Sequence, residues 1–181
     1  AGPVGLLYSG DDLVATAHDQ GRITHADARC SAGATAIAGG VALALEPAAI
    51  EAGKFVARLV KLCRGLDAGF ADCLKQLPAW LELPPAEAVA PIARAGLAAD
   101  YDAPWPGISP FVVPSVIWSL YAFLRTPEDY WAAISTAIAV GGDVDTTAAM
   151  TGAMSGARVG LEALPPLARQ GHDQGTWDYD D

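Results

Sequence analysis

Apolar residues recur every three or four positions over most of this chain, and no stretch reads as a strand. That period stacks side chains on one helical face, whereas alternation would mark half-buried strands. The expectation is helix nearly throughout. Asp11 or Asp12 is placed to cap a short helix ending near Gln20. His25 to Asp27 opens a longer one reaching about Leu45, in which Ala32, Thr35, Ala36, Gly39 and Gly40 predict close packing against a neighbour. Pro47 suits the first turn of a third helix ending near Leu66. Phe55, Leu59 and Leu62 form its apolar face, and Lys54, Arg58 and Lys61 its solvated one.

Short helices near 70–77 and 85–95 come next, then a loop at 98–110 with three prolines and Gly107. A helix over 112–124 follows. Thr126-Pro127-Glu128-Asp129 predicts another start, with a capping Thr, Pro in the first turn and acids behind it, running to about Ala139. The last helix, 146–159, has Gly152, Gly156 and Gly160 four apart and is expected at the centre of the bundle, because small residues admit close neighbours. Trp105, Trp118 and Trp131 are assigned to the core, His18 and His172 to the surface, and Arg29 to a surface pair with Asp27 or Asp19. The expected fold is an all-α orthogonal multi-helix bundle, one domain over 1–181, with 171–181 as a mobile tail.

Composition narrows the partners. The net charge of −10 and a pI near 4.5, with no basic cluster, argue against nucleic acid and anionic membrane surfaces. An anionic small molecule stays open, since backbone N–H groups and helix N-termini hold phosphates locally. Cys30, Cys63 and Cys73 have no C-x-x-C spacing, so a reducing cytoplasm is the default expectation. Zinc is disfavoured, because four Cys or His ligands at suitable spacing are missing. The apolar run Phe111 to Leu124 is shorter than the ~20 residues a membrane span requires and contains Pro114.

Candidate chemistry concentrates in Gly141-Gly142-Asp143-Val144-Asp145-Thr146-Thr147. Two carboxylates and a hydroxyl stand within four positions at the mouth of a helix. Such hard oxygen ligands suit Mg²⁺ or Mn²⁺. The two glycines strip side-chain bulk from the approach. Capping explains the same residues: Asp145 as N-cap and Asp143 as an acid near the positive helix end. An EF-hand loop lacks its third ligand and closing Glu, and a phosphate loop lacks its GK[ST] ending.

The stretch GGDVDTTAAMTGAMSGARVG resembles the C-terminal signature of the ADP-ribosylglycohydrolase family, usually GGDTDT before a small-residue helix. Three further stretches resemble that family in its own order: AGPVGLLYSG at residues 1–10, GRITHADARC at 21–30, and FVVPSVIW at 111–118. Val144 stands where the family usually has Thr, and Thr147 where it usually has Ile.

The resemblance implies that Asp143, Asp145 and Thr146 ligate two Mg²⁺ or Mn²⁺ ions at the base of a cleft for ADP-ribose. His25, Gly141, Gly142 and Phe111 would contact substrate, an ADP-ribosylated protein or a small conjugate. The reaction implied is hydrolysis of the ribose C1 linkage. The family's Thr-Asp-Asp cluster, source of further ligands and of the general base, has no match here. The chain is accordingly expected to be the C-terminal portion of such a domain, inactive alone, with the base in a preceding segment. The competing expectations are a non-catalytic ADP-ribose-binding or structural relative, and an all-helical interaction module in which Asp143 and Asp145 only cap.

Overall fold

The computed structural model describes residues 1–100 and 105–164. Among these there are ten α-helices and no β-strand. The only extended pairing among them is an isolated bridge between Ile108 and Gly142. The expectations for the 171–181 tail, for His172 and for positions 101–104 of the Pro-rich loop lie outside the described residues.

In chain order the helices are α1 (Gly2–Leu7), α2 (Gly10–Arg22), α3 (Ala28–Ala44), α4 (Ala52–Cys63) and α5 (Ala68–Leu74). Then come α6 (Leu77–Leu81), α7 (Pro85–Ala93), α8 (Val112–Arg125), α9 (Tyr130–Ile138) and α10 (Val144–Val159). The first helix was not foreseen. It lies against α3 through Gly5, whose added Cβ would meet the Ala38 carbonyl at 2.1 Å.

The centre of the bundle is α8, with α3 beside it. Every residue of α8 from Val113 to Leu124 is buried. A helix that is apolar all round belongs inside, and α8 packs against α3, α7, α9 and α10. Gly33 and Gly40 let α3 approach: a Cβ on Gly33 would reach Val112 Cγ2 at 2.5 Å. Trp118 and Tyr121 stack within α8, and each sends its polar end to a backbone carbonyl, Ala137 at 3.0 Å and Leu83 at 2.7 Å. Buried Trp and Tyr need such partners.

Several expectations are corrected. The last helix is not the centre. Only Thr147, Thr151, Met154 and Ser155 of α10 are buried; Gly152 meets Ile134 and Tyr130 of α9, and Gly156 meets nothing within 4 Å. Its mixed faces suit a flank, whereas α8 offers apolar surface all round. Residues 45–51 are not helical. The Glu46 and Ala48 carbonyls accept from Arg158 at 2.8 and 3.0 Å, and α4 starts only at Ala52. The start signal at Thr126 moves to Asp129, which accepts from the Ala132 N–H at 2.9 Å, while Thr126 ends α8. Trp118 is core, but Trp105 and Trp131 are 50% and 55% exposed. His18 is part-buried and bonded to Ser31 Oγ at 3.0 Å.

Candidate active site

Three helices begin around one cleft of about 500 Å³. The start of α3 contributes His25, Asp27, Arg29 and Cys30. The start of α8 contributes Phe111, Val112, Ser115 and Val116. The start of α10 contributes Thr146 and Met150. First-turn N–H groups lack intrahelical partners, and the helix dipole is positive there, so a region flanked by three such ends favours anions. Only α3 has a side-chain cap; Phe111 and Asp143, at the caps of α8 and α10, make none.

Asp27 is the cap of α3. Its carboxylate accepts the Arg29 N–H at 2.8 Å and the Arg29 guanidinium at 3.0 and 2.6 Å. These bonds hold its pKa down to about 2, the guanidinium contributing most. Arg29 also lies over the Phe111 ring, 5.1 Å from its centroid. The expected Asp27–Arg29 pair is present, but it lies in the cleft wall. Its link to Phe111 joins segments 82 residues apart and has no signal in the sequence. His25 is exposed, with Nδ1 2.8 Å from Thr24 Oγ1. Burial pushes the Cys30 thiol up, so it is no ready thiolate nucleophile.

The acidic turn stands at the mouth of α10. The Asp143 and Asp145 carboxyl groups reach each other: a hydrogen bond from Asp143 is the first cause holding the Asp145 pKa down, helped by the N–H groups of Thr146 and Asp145. Asp145 and Thr146 are exposed, and Thr146 lines the cleft. The acidic pair adjoins Thr146 without being among the cleft's lining residues. Among the described residues no group of three or more His, Cys, Asp or Glu is arranged to hold a metal. Hence His25, Phe111 and Thr146 share one cleft, and Asp143 and Asp145 form a pair beside it.

The two glycines divide. A Cβ on Gly141 would meet nothing within 4 Å. At Gly142 it would lie 2.0 Å from the Ile108 carbonyl oxygen, so what approaches this backbone is the 107–108 segment.

Among known protein families, the ADP-ribosylglycohydrolase model matches residues 1–180. The chain belongs to the ADP-ribosylglycohydrolase family. No curated protein matches it. As an ADP-ribosylglycohydrolase, it is a glycohydrolase of the ADP-ribosyl hydrolase kind, and its all-α fold agrees with that membership. Three of the four stretches quoted above meet at this cleft: GRITHADARC supplies one wall, FVVPSVIW a second, and GGDVDTT contributes Thr146. No helix among the described residues of this ADP-ribosylglycohydrolase is long and apolar enough to cross a membrane.

Proposed function

We propose that the protein is a metal-dependent hydrolase that breaks the bond from ribose C1 to the acceptor atom of an ADP-ribosylated protein or a small ADP-ribose conjugate. Asp143, Asp145 and Thr146 are its ligands for two Mg²⁺ or Mn²⁺ ions. The observation that carries this reading is the position of Asp143 and Asp145, two residues apart at the mouth of α10, with the adjoining Thr146 lining the cleft. The Asp143 side chain is not spent as the cap of α10, while that of Asp145 accepts first-turn N–H groups. The donor set is all hard oxygen, as Mg²⁺ and Mn²⁺ require. It supplies part of a coordination shell; water, ribose hydroxyls or ligands outside the described residues complete it.

When bound, the ions would hold ribose hydroxyls and a water and stabilise charge developing in the transition state. The chain's own residues do the rest. Phe111, Val112, Val116 and Met150 give the cleft an apolar wall against which the base can lie. The uncapped first turn of α8 presents N–H groups to the diphosphate. His25 on the rim has one ring nitrogen engaged by Thr24 and offers the other to substrate. In the net reaction water gives its hydroxyl to C1 and its proton to the acceptor. Asp27 is the acid nearest to hand in the cleft, but at about 2 its pKa makes it a weak base, and it is already committed to Arg29. The base that activates water is therefore not Asp27.

The deciding experiment is ADP-ribose release from several linkages, with and without Mn²⁺, by wild type, Asp143→Ala and Asp145→Ala. The expected outcome is metal-dependent release by wild type, lost in both variants, with helical circular dichroism unchanged. Full activity in either variant refutes the metal assignment. A second reading, an ADP-ribose binder without turnover, is favoured by the lack of a suitable base among the described residues of the cleft. Binding of ADP-ribose by wild type with no release from any linkage would select it.

A further inference from the structure

The acidic turn is crossed by the segment that leads into α8. The Ile108 N–H donates to the Gly141 carbonyl at 3.2 Å, and the Asp143 N–H donates to the Ile108 carbonyl at 2.8 Å. At the crossing both chains use glycine in the left-handed region, Gly107 at φ +75° and Gly142 at φ +91°. The backbones are nearly in contact: a Cβ on Gly107 would lie 2.3 Å from the Val140 carbonyl oxygen. The Ile108 side chain is fully buried in the main core, which anchors the crossing segment.

The consequence falls on Asp143. Among the described residues three other Asp stand at helix N-caps, and all three cap. Asp27, Asp67 and Asp129 have extended backbones, with ψ of 133°, 113° and 98°, and each side chain accepts an N–H of the first turn. Asp143 occupies the same position on the 16-residue α10, but its ψ is 64° and its side chain accepts none of those N–H groups. Capping needs an extended N-cap residue whose oxygen reaches back over the first turn. The two ladder bonds to Ile108 hold the backbone on either side of Gly142 and keep Asp143 out of that conformation. Its carboxylate is left out of the first turn, two residues before Asp145.

We infer that Gly107 and Ile108 are positioning residues of this site: their crossing withholds Asp143 from capping α10 and so makes it available as a cation ligand. The inference rests on the reading that the acidic pair binds a divalent cation. It predicts a competition. Where the crossing is loosened, Asp143 relaxes into an ordinary cap, the helix gains a bond and the cation site loses a ligand.

The test is Gly107→Ala, with Gly160→Ala as control. Gly160 has a similar φ of +73° but open space around it, so the control carries the backbone strain without the clash. Three quantities are read: Mn²⁺ affinity by electron paramagnetic resonance, hydrogen exchange at the Asp143 amide, and the effect of Asp143→Ala on thermal stability in each background. Gly107→Ala is expected to weaken Mn²⁺ binding by about tenfold or more, as loss of a ligand's orienting partner does. It should also speed exchange at Asp143. Asp143→Ala should lower Tm in the Gly107→Ala background, where Asp143 caps, and not in wild type, where it does not. Gly160→Ala should behave as wild type in all three. If Gly107→Ala does not fold, Ile108→Ala trims the buried anchor without adding a clash and should shift the same readouts the same way. Failure of wild type to bind Mn²⁺ at millimolar concentration overturns the metal reading, and the inference with it. Wild-type binding that Gly107→Ala leaves unchanged, or an equal cost of Asp143→Ala in both backgrounds, overturns the inference alone.

Discussion

Trp118→Phe tests whether the core helix supports the site as the geometry requires. Trp118 is fully buried on α8, and its indole N–H donates to the Ala137 carbonyl at 3.0 Å. Ala137 lies in the last turn of α9, where carbonyls have no intrahelical donor. The indole is thus the cap of α9, delivered from the core, a few residues before Gly141, Gly142 and Asp143. Phe keeps an aromatic ring in place but removes the donor, leaving a buried carbonyl unsatisfied at a cost of about 1–3 kcal/mol. The smaller ring forfeits packed surface and leaves a gap, for about 1–2 kcal/mol more. The sum is a loss of about 2–4 kcal/mol, measurable as a lower urea midpoint at unchanged slope. Trp131→Phe is the matched control: that ring is 55% exposed, and its change should stay within ~0.5 kcal/mol. The end of α9 should also become more open to exchange at Ala139 and Gly141. A Trp118→Phe protein within ~0.5 kcal/mol of wild type would refute the capping argument, because no buried carbonyl can lose its donor at that small a cost.

Other outcomes follow from the same contacts. Asp27 has a folded pKa depressed to about 2 from an ordinary 3.8, so the stability it contributes is full above pH 4 and is lost as pH falls from about 4 to about 2. Acid titration of unfolding should show that component in wild type and lack it in Asp27→Asn. Burial pushes the Cys63 thiol up to about 12, and its Sγ–H faces the Ala32 carbonyl at 3.4 Å. A thiol reagent at pH 8 should label the half-buried Cys30 and Cys73 while Cys63 reacts only on unfolding; rapid labelling of all three in the native protein would contradict this packing. Arg158→Ala removes the guanidinium that joins Glu128 to the carbonyls of Glu46 and Ala48. Its cost should be about 2–3 kcal/mol in denaturant unfolding, chiefly from the carbonyl bonds, since Glu128 is solvated.

The period of the apolar residues by itself determined the all-α class and most helix positions, because a helical face must repeat every three to four residues wherever it packs. Four ordered stretches carried the resemblance to the family, and with it the choice of Asp143, Asp145 and Thr146 as the residues to watch. Choices between equal local signals were not legible. Thr126 reads as the cap and Asp129 as a first-turn acid, and only the path of the chain out of α8 gave the capping role to Asp129. Pro47 reads as a helix start until Arg158, over a hundred residues away, takes the carbonyls of Glu46 and Ala48. Three tryptophans look alike in sequence, and burial separates one from two. The site shows the same division. That Asp143 stands at a helix mouth is local, and a local rule makes it a cap. That it does not cap was decided by Ile108, whose backbone crosses the turn from 35 residues away. Backbone conformation at a junction is set by what lies across it, and that information is tertiary.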